Sequence, residues 1–236
     1  MPARIALLGV GVLFGGCAGS PWRYPGPLGP VGRAPPEEVP AGPQDAPQGR
    51  VGQRIAAIAE DTVGARRLHW EGKEYGFDCS GFVRYVHARA GLELEGSSAD
   101  LYARADQWGL LHTRKTPEVG DVAFFEETWD RNGNGRVDDG ITHVAVVTSV
   151  DAEGTVSMIH RGSSGIAPLA MNLNIPDQRT TAAGVLLNDW LRVASRRDTK
   201  EVRRLSGELW VAFGSFWERI ADRAWIFQTP EVPSVG

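Results

Sequence analysis

Apolar and polar positions follow two different periods along the chain, and the period changes after the first third of the globular part. In residues 51–64 and 79–90, apolar side chains recur every three or four positions, which predicts two amphipathic helices. Gly91 follows the second helix where a helix stop is expected. Later segments are short, rich in β-branched residues and separated by Gly, Asp and Asn, which predicts strands. These strand segments are residues 121–125, 142–150, 155–160 and 184–187.

The order of these elements, helices first and strands afterwards, predicts an α+β fold with an antiparallel sheet. Residues 199–227 return to helical spacing and predict one long amphipathic helix with a wide aromatic side. Two interpretations of this helix remain open: it packs on its own domain, or it lies on a membrane or a partner protein. Its apolar positions are Val202, Leu205, Leu209, Phe213, Phe216, Ile220 and Ala224, joined by Trp210, Trp217 and Trp225.

The N-terminal region predicts export and tethering. Residues 1–16 combine Arg4, an apolar run too short to span a bilayer, and two small residues, which is typical of a signal peptide. The segment before Cys17 resembles a bacterial lipobox, so we expect Cys17 to be lipidated; an ordinary signal peptide cleaved nearby is the alternative. Residues 17–50 hold most of the fifteen prolines and predict an extended tether. The globular domain is expected over residues 51–195, followed by the C-terminal helix and tail at 196–236.

The amino-acid composition excludes several classes of protein. The chain has 25 basic and 29 acidic residues and a net charge of −4, so it lacks the positive field of a general nucleic-acid-binding protein. It contains two cysteines, too few for a disulfide framework or a thiolate zinc site. If Cys17 is lipidated, Cys79 is the only thiol left in an exported protein.

Cys79 lies at the predicted N-terminus of the second helix, where amides and the helix dipole lower a thiol pKa. His143 lies within a predicted strand that places Val144 and Val146 on one face and His143 on the other. His160 ends the next strand, so a hairpin pairing of the two strands would bring the two imidazoles together. The structural alternatives are a buried cysteine and a buried core histidine.

The remaining histidines, His69, His87 and His112, are expected to be solvated.

Four ordered segments resemble the NlpC family of bacterial cell-wall cysteine peptidases: residues 77–91, 117–125, 142–147 and 158–165. The resemblance implies a papain-like α+β fold and cleavage of an amide in peptidoglycan stem peptides, commonly the γ-D-glutamyl-diaminopimelate bond. It further implies that Cys79 is the nucleophile, His143 the general base and His160 the residue that orients it. By the same resemblance Asp78 and Ser80 bind the free amino end of the substrate, although both residues also suit capping of the helix.

The sequence departs from that family at two places. Family members usually carry a Tyr before the nucleophile, whereas residues 68–72 read LHWEG. Residues 95–102, EGSSADLY, lack the Arg and hydroxyl pattern that is common there. Both departures concern substrate recognition, so we expect a substrate preference that differs from the common one.

An insertion before His143 resembles part of a calcium-binding loop. Gly135 stands at the sharp turn, and Ile141 stands where an EF-hand has its bidentate Glu. A hairpin turn built on two Asn-Gly pairs is the alternative. We expect no cofactor for the chemistry and a structural Ca²⁺ in this loop. The expected ligands are Asp130, Asn132, Asn134, the backbone carbonyl of Arg136, Asp138 and Asp139.

Together these features predict a lipid-anchored peptidoglycan endopeptidase that acts on stem peptides, contacts the membrane through its anchor and binds no nucleic acid. Ala18 after the lipidated cysteine favours the outer membrane, facing the periplasm, over the inner membrane. Two alternatives remain open: a noncatalytic envelope scaffold on the same fold, and a related amidase or acyltransferase.

Overall fold

The helices and strands alternate irregularly along the chain in the computed structural model, which describes residues 47–136, 138–193 and 202–226. The described helices are α1 (Pro47–Asp61), α2 (Cys79–Ala90), α3 (Ser98–Gln107), α4 (Ser206–Leu209) and α5 (Trp217–Ile226). The described strands are β1 (Leu68–Trp70), β2 (Lys73–Tyr75), β3 (Leu111–His112), β4 (Val122–Glu126), β5 (Ile141–Val150), β6 (Thr155–Gly162), β7 (Gly165–Asn172) and β8 (Trp210–Gly214).

The main sheet contains six of these strands in the order β3-β8-β4-β5-β6-β7, and every neighbouring pair is antiparallel. Strands β1 and β2 form a separate hairpin. The predicted α+β fold with an antiparallel sheet is therefore confirmed.

Helix α2 forms where the sequence predicts it because both of its ends carry capping residues. Asp78 is the N-cap, and its side chain accepts a hydrogen bond from Gly81 N. Gly91 ends the helix with a φ of 102°, in the left-handed region that glycine adopts without a steric penalty. Helix α1 begins at Pro47, ahead of the predicted start at Val51, because proline fits the first turn of a helix.

Strand β5 separates two hydrophobic clusters, as expected for a strand whose successive side chains point to opposite faces of the sheet. Val144 and Val146 pack into the cluster that contains residues of helices α1, α2 and α3. Ala145 and Val147 pack into the second cluster, which contains Phe213. These four residues of β5 are fully buried, so both faces of the sheet are covered at this part of the strand.

The single long helix predicted over residues 199–227 is wrong. The described part of this region forms the short helix α4, strand β8 and helix α5, and β8 lies between β3 and β4 in the sheet. Residues 210–214 read WVAFG, a composition that suits a strand as well as a helix, and the two flanking strands supply its backbone partners. The C-terminal segment therefore completes the sheet of the domain and is not an appendage to it.

A buried carboxylate holds this C-terminal segment in place. Asp121 is 0% exposed and accepts hydrogen bonds from Ser215 Oγ and Trp217 Nε1, both at 2.8 Å. Its other oxygen accepts from Glu118 N at 2.8 Å and lies 3.0 Å from His112 Nε2. Because these hydrogen bonds stabilise its negative charge, the carboxylate of Asp121 can be buried without contact with water.

Three smaller expectations also change. Residues 184–187 do not form a strand; Leu186 makes only an isolated bridge with Thr180. His87 is fully buried, and its Nδ1–H donates to Val83 O at 2.8 Å, so it is not solvated. His112 is also largely buried against Asp121, whereas His69 is exposed as expected.

The signal-peptide, lipidation and tether predictions for residues 1–16, Cys17 and most of 17–50 lie outside the described residues. Among the helices that the structure describes, none is long and apolar enough to cross a membrane.

Candidate active site

Cys79 is the first residue of α2, and the chain around it is unusually close-packed. A Cβ atom on Gly81 would lie 1.9 Å from Gly76 O, so only glycine allows the loop before the nucleophile to pass this close to the helix. The N–H group of Cys79, in the first turn, has no acceptor within the helix. The close packing thus fixes the thiol at the N-terminal end of α2.

Asp78 and Ser80 form the cap of this helix. Asp78 Oδ1 accepts from Gly81 N at 2.8 Å and from Ser80 Oγ at 2.7 Å. These hydrogen bonds lower the pKa of Asp78 although partial burial opposes the change. Asp78 Oδ2 makes no hydrogen bond with the described residues, so one carboxylate oxygen stays available. Capping is confirmed, and binding of a substrate amine stays a prediction.

Strands β5 and β6 bring the two predicted imidazoles together. Their register pairs Val146 with Ile159 and Val147 with Met158, which places the start of β5 beside the end of β6. His143 Nε2 lies 2.8 Å from His160 Nδ1, and the rings meet edge to face. His143 Nδ1 makes no hydrogen bond with the described residues.

The hydrogen bond between the two rings limits the possible tautomers of His143 and His160. If Nδ1 of His143 keeps its lone pair, its proton is on Nε2 and is donated to His160 Nδ1. His160 then carries its own proton on Nε2.

One cleft of about 600 Å³ is lined by Cys79, His143 and His160 together with Asp78 and Ser80. In the resting arrangement the Cys79 S–H group points to Thr142 O, 3.9 Å from Sγ. The rest of the lining combines hydroxyl groups, two arginines, and exposed tryptophans at residues 129 and 190.

Burial keeps all three groups uncharged at neutral pH. Desolvation raises the pKa of the Cys79 thiol to about 11, although nearby backbone N–H groups oppose the rise. Burial, and secondarily the charge of His160, lowers the pKa of His143 to about 3. Burial also lowers the pKa of His160 to about 4 against the opposing charge of Asp189. The N–H groups at the start of α2 lower the thiol pKa as expected, but desolvation is the larger effect, so the net shift is upward.

These pKa directions predict how the free enzyme titrates. The thiolate of Cys79 should form near pH 11 and not below pH 9, since burial penalises the anion. The measurement is the ultraviolet absorbance of the thiolate against pH, taken as the difference between the wild type and Cys79→Ala so that Cys17 cancels. A thiolate signal already complete at neutral pH would contradict the prediction and indicate a preformed thiolate–imidazolium pair.

The insertion before β5 is ordered by its own polar side chains. The side-chain amides of Asn132 and Asn134 both donate to Asp138 Oδ1 at 3.1 Å, so these three side chains converge. Both Asp139 oxygens accept backbone N–H groups, from Arg131 at 3.0 Å and from Asn132 at 3.1 Å. Asp139 therefore braces the loop, and its expected role as a ligand stays a prediction.

Asp130 Oδ1 is buried without a hydrogen-bond partner, and its other oxygen accepts from Gly135 N at 2.9 Å. Asp130, Asn132, Asn134 and Asp138 remain compatible with a cation. Within the described residues, however, no group of three or more His, Cys, Asp or Glu side chains is placed to hold a metal ion. Calcium binding stays a prediction.

The sequence reasoning missed several side chains that line the cleft. Arg161 directly follows His160 in a segment that the motif comparison already covered, so its position was available from the sequence. Trp190 and Val193 reach the cleft from a distant segment, which hydrogen bonding of Val193 N to Thr128 O brings beside the loop after β4. No sequence pattern indicated that contact.

A comparison with protein families matches residues 69–162 to the CHAP domain, and this range contains Cys79, His143 and His160. CHAP domains are cysteine- and histidine-dependent amidohydrolases or peptidases, found in cell-wall hydrolases related to the NlpC family. The family resemblance noted in the sequence is thereby confirmed. No curated protein matches the chain.

Proposed function

Because residues 69–162 are a CHAP domain, which implies a peptidoglycan hydrolase of the amidase or peptidase type, we propose that the protein cleaves an amide of the stem peptides. The bond we propose is of the γ-D-glutamyl-diaminopimelate kind. The observation that carries this proposal is the hydrogen-bonded His143–His160 pair in the same cleft as Cys79 at a helix N-terminus.

In the proposed acylation step, the Cys79 S–H group rotates from Thr142 O towards His143 Nδ1. His143 takes the proton as Sγ attacks the carbonyl carbon, so the charged pair arises during the reaction. His160 Nδ1 accepts the Nε2–H of His143 and so holds the ring in the tautomer that keeps Nδ1 basic. His143 then returns the proton to the leaving amine, and an acyl-enzyme remains.

The oxyanion of the tetrahedral intermediate would lie near the N–H group of Cys79 at the start of α2, where partial positive charge is concentrated. In deacylation a water molecule gives its proton to His143 and attacks the thioester carbon. The proton then returns to Sγ, which restores the thiol and releases the carboxylic acid.

Asp78 is proposed to hold the free amino group of the substrate. Its Oδ1 is occupied by Gly81 N and Ser80 Oγ, whereas Oδ2 has no partner in the part of the chain described. An ammonium group would form a charge-assisted hydrogen bond with that oxygen. Ser80 supports this role indirectly, since its hydroxyl group orients the carboxylate.

Digestion of purified peptidoglycan by wild type and Cys79→Ala tests the proposed activity, with mass spectrometry of the released fragments. We expect release by the wild type and a loss of at least about 10³-fold in the variant, because the nucleophile is removed. Fragment masses identify the bond. Because α1 begins at Pro47, a shortened protein should start at Ala41 and not at Val51.

The same experiment separates the alternatives. Release by both proteins would contradict thiol catalysis, and release by neither, with native folding, would favour a noncatalytic envelope scaffold. Fragments cut at the sugar–peptide amide would identify an amidase.

We also propose that lipidation of Cys17 anchors the protein to the outer membrane, facing the periplasm, and that residues 17–50 hold the domain away from the bilayer. A structural Ca²⁺ would be held by Asp130, Asn132, Asn134, Arg136 through its carbonyl, and Asp138. Such an ion would stiffen the loop that leads into β5, and no chemical step passes through it.

A further inference from the structure

Arg161 is a cation in the cleft that has no acidic partner among the residues the structure describes. It ends β6 directly after His160 and lines the same cleft as Cys79. Elsewhere in the described chain, Arg114 and Arg203 pair with carboxylates, at 3.3 Å and 2.8 Å. No carboxylate of the described residues lies within ion-pair distance of Arg161. A partly buried guanidinium is normally paired, so its missing partner calls for an explanation.

The guanidinium of Arg161 is held in a defined position. Its Cζ atom lies 4.7 Å from the centre of the Phe77 ring, and Nη1 donates to Gly162 O at 2.7 Å. Nε is buried without a hydrogen-bond partner, and Nη2 has none among the described residues. The contacts with Phe77 and Gly162 therefore leave Nη2 without a partner among the described residues, whereas Nε is shielded from the cleft. A guanidinium N–H forms a charge-assisted hydrogen bond with a carboxylate.

Apart from the exposed Arg131, the charged side chains of the cleft lie on two elements. Asp78 caps α2 and offers the carboxylate oxygen Oδ2, whereas Arg161 offers a cation at the end of β6. Such a cleft suits a ligand that carries an amino group and a carboxylate at different positions. A stem peptide that contains D-glutamate and diaminopimelate has this character.

We propose that Arg161 binds a carboxylate of the stem peptide through Nη2 and its positive charge and so selects peptides with free carboxylates over amidated ones. The inference rests on the proposed function, since it assigns the substrate chemistry of the same cleft. Arg161 is thus a specificity-determining residue that positions the peptide beside Cys79.

The test uses the full chain and two γ-D-glutamyl-diaminopimelate peptides, one with free carboxylates and one with carboxamides in their place. For wild type we expect a preference for the acid peptide. Arg161→Met should lower kcat/KM for the acid peptide by about 10- to 100-fold, mainly through KM, and change the amidated peptide by less than about 3-fold. Arg161→Lys should restore part of the preference, because a lysine keeps the charge but not the guanidinium geometry.

Arg131→Gln is the matched control. Arg131 lines the same cleft, but it is exposed and its Nη2 donates to Asp139 O at 3.3 Å. We expect this variant to keep the preference for the acid peptide. The paired substrates also exclude an indirect effect, since a changed charge beside His160 would alter cleavage of both peptides alike.

Equal cleavage of the two peptides by wild type, or an equal effect of Arg161→Met on both, would overturn the inference and leave the hydrolase proposal intact. If wild type cleaves neither peptide, the proposed function fails by itself. Calorimetric binding to Cys79→Ala with and without Arg161→Met then decides the inference. Tighter binding of the acid peptide that depends on Arg161 supports it, and equal binding of the two peptides overturns it.

Discussion

Replacing His143 with Ala should lower kcat/KM for peptidoglycan fragments by about 10³-fold, because His143 is the proposed acceptor of the thiol proton. Burial holds the Cys79 pKa near 11, so almost no thiolate forms at neutral pH without a proton acceptor. The expected loss is therefore larger than in an enzyme with a preformed thiolate. Cleavage is measured by chromatography of the fragments, at several substrate concentrations and across pH.

His160 should act through His143, and its variants distinguish positioning from packing. His160→Ala removes the acceptor of the His143 Nε2–H and should lower kcat by about 10²-fold with little change in KM. His160→Asn keeps an oxygen near the position of Nδ1 and should recover much of the rate. If His160 had a purely structural role, the rates of the two variants would follow their melting temperatures and not the presence of a hydrogen-bond acceptor.

His69→Ala serves as the control for histidine removal, since His69 is exposed on β1. It should leave the rate unchanged. A native-like melting curve combined with activity within about 10-fold of wild type in His143→Ala would contradict the proposed base.

Ending the chain after Asp198 should abolish cooperative folding. The truncation removes β8 from between β3 and β4, together with the buried side chains of Leu209, Phe213 and Phe216. Each such side chain contributes about 1.5–3 kcal/mol by burial, and the total stability of a domain is about 5–15 kcal/mol. The truncation also removes Ser215 and Trp217 from the buried carboxylate of Asp121. Urea unfolding followed by tryptophan fluorescence measures the effect.

A chain ending at Ile226 is the matched control, because it keeps β8 and α5. It should unfold with nearly the wild-type midpoint. The point variant Asp121→Asn should lose about 3 kcal/mol, since an amide offers a donor where four groups donate to the carboxylate. An unchanged unfolding midpoint in the chain ending after Asp198 would show that β8 is dispensable.

Elements with complete local signals were predictable from the sequence. Helix α2 has an N-cap at Asp78, helical apolar spacing and a stop at Gly91, so its bounds follow without tertiary information. Successive side chains of a strand point to opposite faces, so the placement of Val144 and Ala145 on different faces of the sheet also follows from the sequence.

Strand β8 shows why the C-terminal region could not be predicted in the same way. Residues 199–227 have helical apolar spacing, yet residues 210–214 pair with β3 and β4. Short apolar segments are ambiguous between helix and strand, and here the backbone donors of two flanking strands decided the outcome. Those strands lie about a hundred residues earlier in the chain, outside any local pattern.

The sequence by itself determined the nucleophile candidate, the histidine candidates, and the helix and strands that carry them. Each depends on local periodicity, capping and motif, which the chain encodes within a few residues of each position. Only the tertiary structure decided the protonation of the site, since desolvation by distant segments raises the pKa of Cys79 and lowers that of His143. It also decided the environment of Arg161, because the lack of an acidic partner among the described residues depends on the segments that pack around the cleft.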